Sequence, residues 1–158
     1  MFYKMIENKC NEWYSSERCT VRNLIEYIEK TGQMRDAQIE AIKVYLFLKI
    51  GCECKPLEFL FRYGCFNSIN LNDIELSTAT REYLEENPAA TALFEYSRLT
   101  NDKGDQVSEK LEKQIKKDPS SIDYDAFFRT AFYGVSYTDY LFSLPMGAGK
   151  TYLMAAFI

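Results

Sequence analysis

One stretch near the C-terminus limits what this chain can build: Tyr140-Leu-Phe-Ser-Leu-Pro-Met-Gly-Ala-Gly-Lys-Thr-Tyr-Leu-Met154. Tyr140 to Leu144 is rich in aromatic and aliphatic residues, and the run reads as a buried strand. Pro145, Met146, Gly147, Ala148 and Gly149 read as a turn, and Lys150-Thr151 opens a segment without a helix breaker. The residue types suit a polyphosphate. Gly147 and Gly149 carry no Cβ, so backbone N–H groups can come close to phosphate oxygens. A helix N-terminus adds partial positive charge at the same place. Lys150 reaches terminal phosphates as a point charge, and the Thr151 hydroxyl can ligate Mg²⁺.

The pattern Gly-x-Gly-Lys-Thr after a strand and before a helix is that of the phosphate-binding loop of nucleoside triphosphatases. The first glycine of the full pattern would fall at position 144, which is Leu144. The remaining Pro-x-Gly-x-Gly-Lys-Thr resembles motif I of superfamily 2 DNA and RNA helicases, where that first glycine is commonly replaced. An ordinary glycine-rich turn is the alternative reading.

A second motif lies upstream, in Met34-Arg-Asp-Ala-Gln-Ile-Glu-Ala-Ile42. Arg35-x-x-Gln38-x-x-Ala41 resembles the helix that precedes motif I in the same helicases and in the motor subunits of restriction enzymes. The resemblance implies that Gln38, with Arg35 beside it, lies on the adenine side of an ATP site. A carboxamide offers one donor group and one acceptor to the adenine edge. Two features depart from the family: Ala37 stands where an aromatic is common, and the interval from Gln38 to Lys150 is long. A surface glutamine on a helix is the other reading of Gln38.

Composition bounds the rest. With 158 residues, 47% hydrophobic and 27% charged, the chain can build a globular core of its own. Its net charge of −4 argues against a generally basic nucleic-acid clamp. Cys10, Cys19, Cys52, Cys54 and Cys65 are odd in number and there is no histidine, which suggests reduced thiols in a cytoplasmic protein. Cys52-x-Cys54 with Cys65 is at most a partial metal site. The apolar runs are too short to span a bilayer, so no membrane is expected.

Along the chain, residues 1–19 show no clear period and read as an arm that docks on the rest. Thr20 is the expected N-cap of a helix to Lys30, with Val21, Leu24, Ile25 and Ile28 on one face. A largely buried helix is expected from Met34 to Ile50, and a short one from Leu57 to Tyr63 between Pro56 and Gly64. Residues 65–76 read as loop. Further helices are expected over 77–86, 89–99, 106–117 and 124–133. The lysines of the 106–117 helix are balanced by Glu109 and Glu112, so they read as a solvated face.

The expected architecture is therefore a mainly α-helical N-terminal region leading into the first strand, phosphate loop and helix start of an α/β RecA-like domain. Residues 1–33 are an arm and helix, 34–138 a helical region with an insertion, and 139–158 the start of the ATP-binding domain. Only one strand and the first helical turns would be present, so the chain is expected to be part of a longer protein and inactive alone. For the whole, the resemblance implies a helicase or translocase that hydrolyses ATP with Mg²⁺ and remodels nucleic acid, double-stranded DNA before RNA. A restriction or phage-defence setting, with a nuclease or methyltransferase partner left open, fits that family. Two alternatives stay open: another phosphate-loop enzyme, such as a nucleotide kinase, and a non-enzymatic helical adaptor.

Overall fold

The computed structural model describes residues 1–101, 103–132 and 149–156. Its α-helices are α1 (Phe2–Ser15), α2 (Arg22–Thr31), α3 (Asp36–Leu46), α4 (Leu57–Arg62), α5 (Thr78–Glu86), α6 (Pro88–Arg98), α7 (Glu109–Lys117), α8 (Tyr124–Ala131) and α9 (Lys150–Ala156). A π-helical turn, Phe47–Gly51, continues α3, and short 3₁₀ turns lie at Leu71–Asp73 and Pro119–Ser121.

The α/β expectation is corrected by these elements. Among the described residues there is no strand, and the sole β-type pairing is an isolated bridge between Thr100 and Gln106. The strand expected at 140–144 lies outside the described residues. The reason for the correction is visible at α9, which packs on a helix and not on a sheet. Its Leu153 is buried against Ala41 and Ile42 of α3, with Ile28, Met34 and Leu46 around them. The apolar helix start has its seat there.

The chain forms two compact units, one of residues 7–55 and 149–156, the other of residues 1–6 and 56–132. The arm expected at the N-terminus is a helix. Ile6, Cys10 and Trp13 are buried at spacings of four and three, which is one helical face. Trp13 meets Phe47 with ring centroids 5.6 Å apart. A Cβ on Gly51 would lie 2.8 Å from the Phe47 ring and 3.0 Å from Trp13 Nε1, so only glycine lets the π-turn approach the indole. Arg22 ties the start of α2 to the end of α1 by donating to the carbonyls of Tyr14 (3.0 Å) and Ser16 (2.6 Å). The residue before α2 is Val21, without a side-chain cap, where the sequence pointed to Thr20.

In the second unit the caps match their chemistry. Ser77, Asn87, Ser108 and Asp123 each accept from a backbone N–H in the first turn that follows, at 2.9–3.2 Å. Pro88 occupies the first position of α6, where its missing N–H is harmless. The core of this unit is aromatic. Phe61 is fully buried and meets Phe2, Phe66, Phe128 and Phe132 at centroid distances of 4.7–5.7 Å. Arg62 joins α4 to α8 through two 2.7 Å bonds to the Asp125 carboxylate, which is held below the usual carboxylate range by them. The buried Glu95 of α6 accepts from Ser68 N–H, Ser68 O–H and Ile69 N–H, which satisfies both oxygens and fixes the loop after α4.

Candidate functional site

The helix α3 begins after Arg35, whose extended backbone (φ −78°, ψ 155°) turns the chain into the first helical turn. Three residues on, Gln38 folds back so that its Oε1 accepts from the Arg35 backbone N–H at 2.8 Å. This is the glutamine half of a capping box. The other end of the same carboxamide leaves the helix. Gln38 Nε2 donates to the carbonyl of Gly149 at 2.8 Å, across 111 positions of sequence. Gln38 is only 3% exposed, so the surface-residue reading is excluded.

Gly149 adopts a left-handed backbone, φ +73°, a conformation that glycine takes without strain. It immediately precedes α9, and its carbonyl also accepts from Leu153 N–H at 3.1 Å, the first bond of that helix. A Cβ at Gly149 would stand 2.7 Å from Gln38 Nε2. The glycine is thus needed twice, for its φ and for the close approach of the carboxamide. Lys150 and Thr151 follow on the first turn of α9, and both are exposed. Leu153, one turn further along, anchors the helix on α3.

The structure therefore brings together Arg35, Gln38 and Gly149, with Lys150 and Thr151 beside them. The remaining residues of the expected phosphate loop, Pro145, Met146, Gly147 and Ala148, lie outside the described residues. Sequence reasoning paired the two motifs only by family order. It missed the Gly149 carbonyl as the partner of Gln38 and Leu153 as the anchor. The apolar pair Ala41–Ile42 facing an apolar α9 was the available signal for the second.

The donor set can be read chemically. An exposed ammonium and an exposed hydroxyl on one helical turn suit phosphate oxygens and a cation they carry. Among the described residues no group of three His, Cys, Asp or Glu could hold a metal ion by itself. A cation here would depend on the Thr151 hydroxyl and on the phosphates. Elsewhere in this unit, Glu17, Cys19, Thr20, Arg22 and Asn23 line an open hollow of about 300 Å³. Among the described residues no helix is long and apolar enough to cross a membrane. Comparison with protein-family models, with curated proteins and with solved structures finds no match.

Proposed function

We propose that the Gly149–Lys150–Thr151 turn, backed by Gln38, is part of a nucleoside-triphosphate site serving an ATP-dependent nucleic-acid helicase or translocase. The observation that carries this reading is the Gln38–Gly149 hydrogen bond. Two motifs, singled out separately in the sequence and far apart in it, meet at one carbonyl. Lys150 would hold terminal phosphates and Thr151 would ligate Mg²⁺. Bound MgATP would supply the anhydride whose hydrolysis drives movement on nucleic acid, double-stranded DNA in the first instance, in the cytoplasm. In this reading the chain's own residues bind and orient the phosphates.

The experiment is the thermal stability of the purified chain with and without MgATP, in wild type and Lys150→Ala. The proposal expects a rise in melting temperature with MgATP that Lys150→Ala abolishes. A second reading, a helical adaptor without nucleotide, is favoured by the purely helical character of the described elements. It expects no nucleotide-dependent shift in either protein.

A further inference from the structure

The geometry points to Gln38 as a positioning residue that sets the Gly149–Lys150–Thr151 turn, in place of a reader of the adenine base. Both ends of its carboxamide are committed to backbone groups of this chain: Oε1 to the Arg35 N–H, Nε2 to the Gly149 carbonyl. The side chain is buried, and it comes so close to Gly149 that a Cβ added there would stand 2.7 Å from its Nε2. The carboxamide thereby fastens the first turn of α3 to the residue that precedes α9. The Gly149 carbonyl accepts from Gln38 and from Leu153 N–H together, so the bond from Gln38 fixes the orientation of the peptide preceding Lys150. A residue that fixes the Lys150 backbone acts equally on every nucleoside triphosphate, because it acts through the phosphates that they share. A base reader would act on adenine alone.

This inference rests on the proposed phosphate site for its functional half, while the fastening of α9 has a readout of its own. The test uses the 158-residue chain, with Gln38→Ala and Gln38→Glu, and with MgATP and MgGTP as probes. Gln38→Glu keeps the length and the acceptor for Arg35 N–H but removes the donor to Gly149, so it decides the matter where Gln38→Ala fails to fold. Two quantities are measured: hydrogen exchange at the Leu153 amide without nucleotide, and the dissociation constants of both nucleotides. The expected result is exchange at Leu153 about tenfold faster in either variant, the loss of one hydrogen bond. Both nucleotides weaken by a similar factor, also about tenfold, with the ATP:GTP ratio unchanged. A role confined to fold stability would leave the affinity of the folded variant as in wild type. Weakening of ATP alone, or unchanged exchange at Leu153, overturns the positioning role. If exchange at Leu153 rises while Lys150→Ala binds nucleotides like wild type, the fastening stands and the phosphate site falls.

Discussion

A Cβ placed on Gly149 would lie 2.7 Å from Nε2 of Gln38, closer than the two atoms can pack. Residues 111 apart in sequence are therefore matched to each other: a glycine where the carboxamide arrives, a carboxamide where the glycine leaves room. Gly104 is the natural control, with a left-handed φ of +86° and nothing within 4 Å of an added Cβ. Gly104→Ala meets only backbone strain, on the order of 1 kcal/mol. Gly149→Ala meets that strain and pushes the end of the Gln38 side chain off its hydrogen bond, for a loss of about 2–3 kcal/mol in the local opening of α9. Hydrogen exchange at the Leu153 amide measures the second, and denaturation of the chain the first. Equal, small effects at both sites would contradict the close approach.

The aromatic cluster sets the stability of the second unit. Phe61 is fully buried among Phe2, Phe66, Phe128 and Phe132. Phe61→Ala should cost about 3–5 kcal/mol by urea denaturation, from lost burial and the cavity left behind. Phe61→Leu should cost less, because it refills most of the space. A cost under 1 kcal/mol for the alanine variant would show that this core is not packed as described.

Glu112 gives a pH dependence. Burial pushes its carboxyl up, but hydrogen bonds from Lys116 and Gln106 and the charges of Arg98 and Lys116 outweigh burial, so it is held below its ordinary value. Gln106 Nε2 donates at 2.5 Å, Lys116 sits at 2.9 Å, and Arg98 Nη1 is also bonded to the carboxylate. A folded-state value below the unfolded one means that the unfolded chain binds the proton more readily. The contribution is therefore complete above the unfolded pKa of about 4.3 and fades as pH falls through the folded value. Glu112→Gln should cost about 1–2 kcal/mol at pH 7, and its difference from wild type should shrink below pH 4. Denaturation curves at pH 7 and pH 3 check this; a difference that grows in acid would contradict the sign.

The cysteines should separate by reactivity. Cys10 is buried on α1, and burial pushes its thiol up to about 12, with Lys43 opposing and Cys19, Glu40 and Glu7 adding to the rise. Cys54 and Cys65 are exposed. Since the thiolate is the nucleophile, iodoacetamide at pH 8 should modify Cys54 and Cys65 well before Cys10 in the native protein. Mass spectrometry of peptides reads the order. Early modification of Cys10 would show that α1 does not stay docked.

Much of the helical framework was legible, because its signals are local. Ser77, Asn87-Pro88 and the stop at Gly64 specify ends by their own chemistry. The α7 helix starts at Glu109 and not at Gln106, because Ser108 caps it and Gln106 is drawn into the bridge with Thr100. The α1 helix was hidden because its buried face includes Cys10 between Ile6 and Trp13, and a cysteine counted as a redox residue drops out of the apolar period. The π-turn at Phe47–Gly51 packs against the distant Trp13, a contact no local pattern announces. At the site, Gln38 was found through a motif, but its burial was not, since the group it meets, the Gly149 carbonyl, lies 111 positions away. The α/β expectation is corrected for the same reason: an apolar helix start reads alike whether its partner is a strand or another helix.

The proposed nucleotide site places Lys150, on the turn that begins at Gly149, against the phosphates. Isothermal titration of the 158-residue chain with ATP in excess Mg²⁺ tests it most directly, with Lys150→Ala titrated alongside. Saturable binding of one nucleotide per chain is expected, weakened at least tenfold by Lys150→Ala, which corresponds to the loss of a charge-assisted contact worth about 1.5–3 kcal/mol. No heat of binding in wild type, or the same affinity in both proteins, would contradict it.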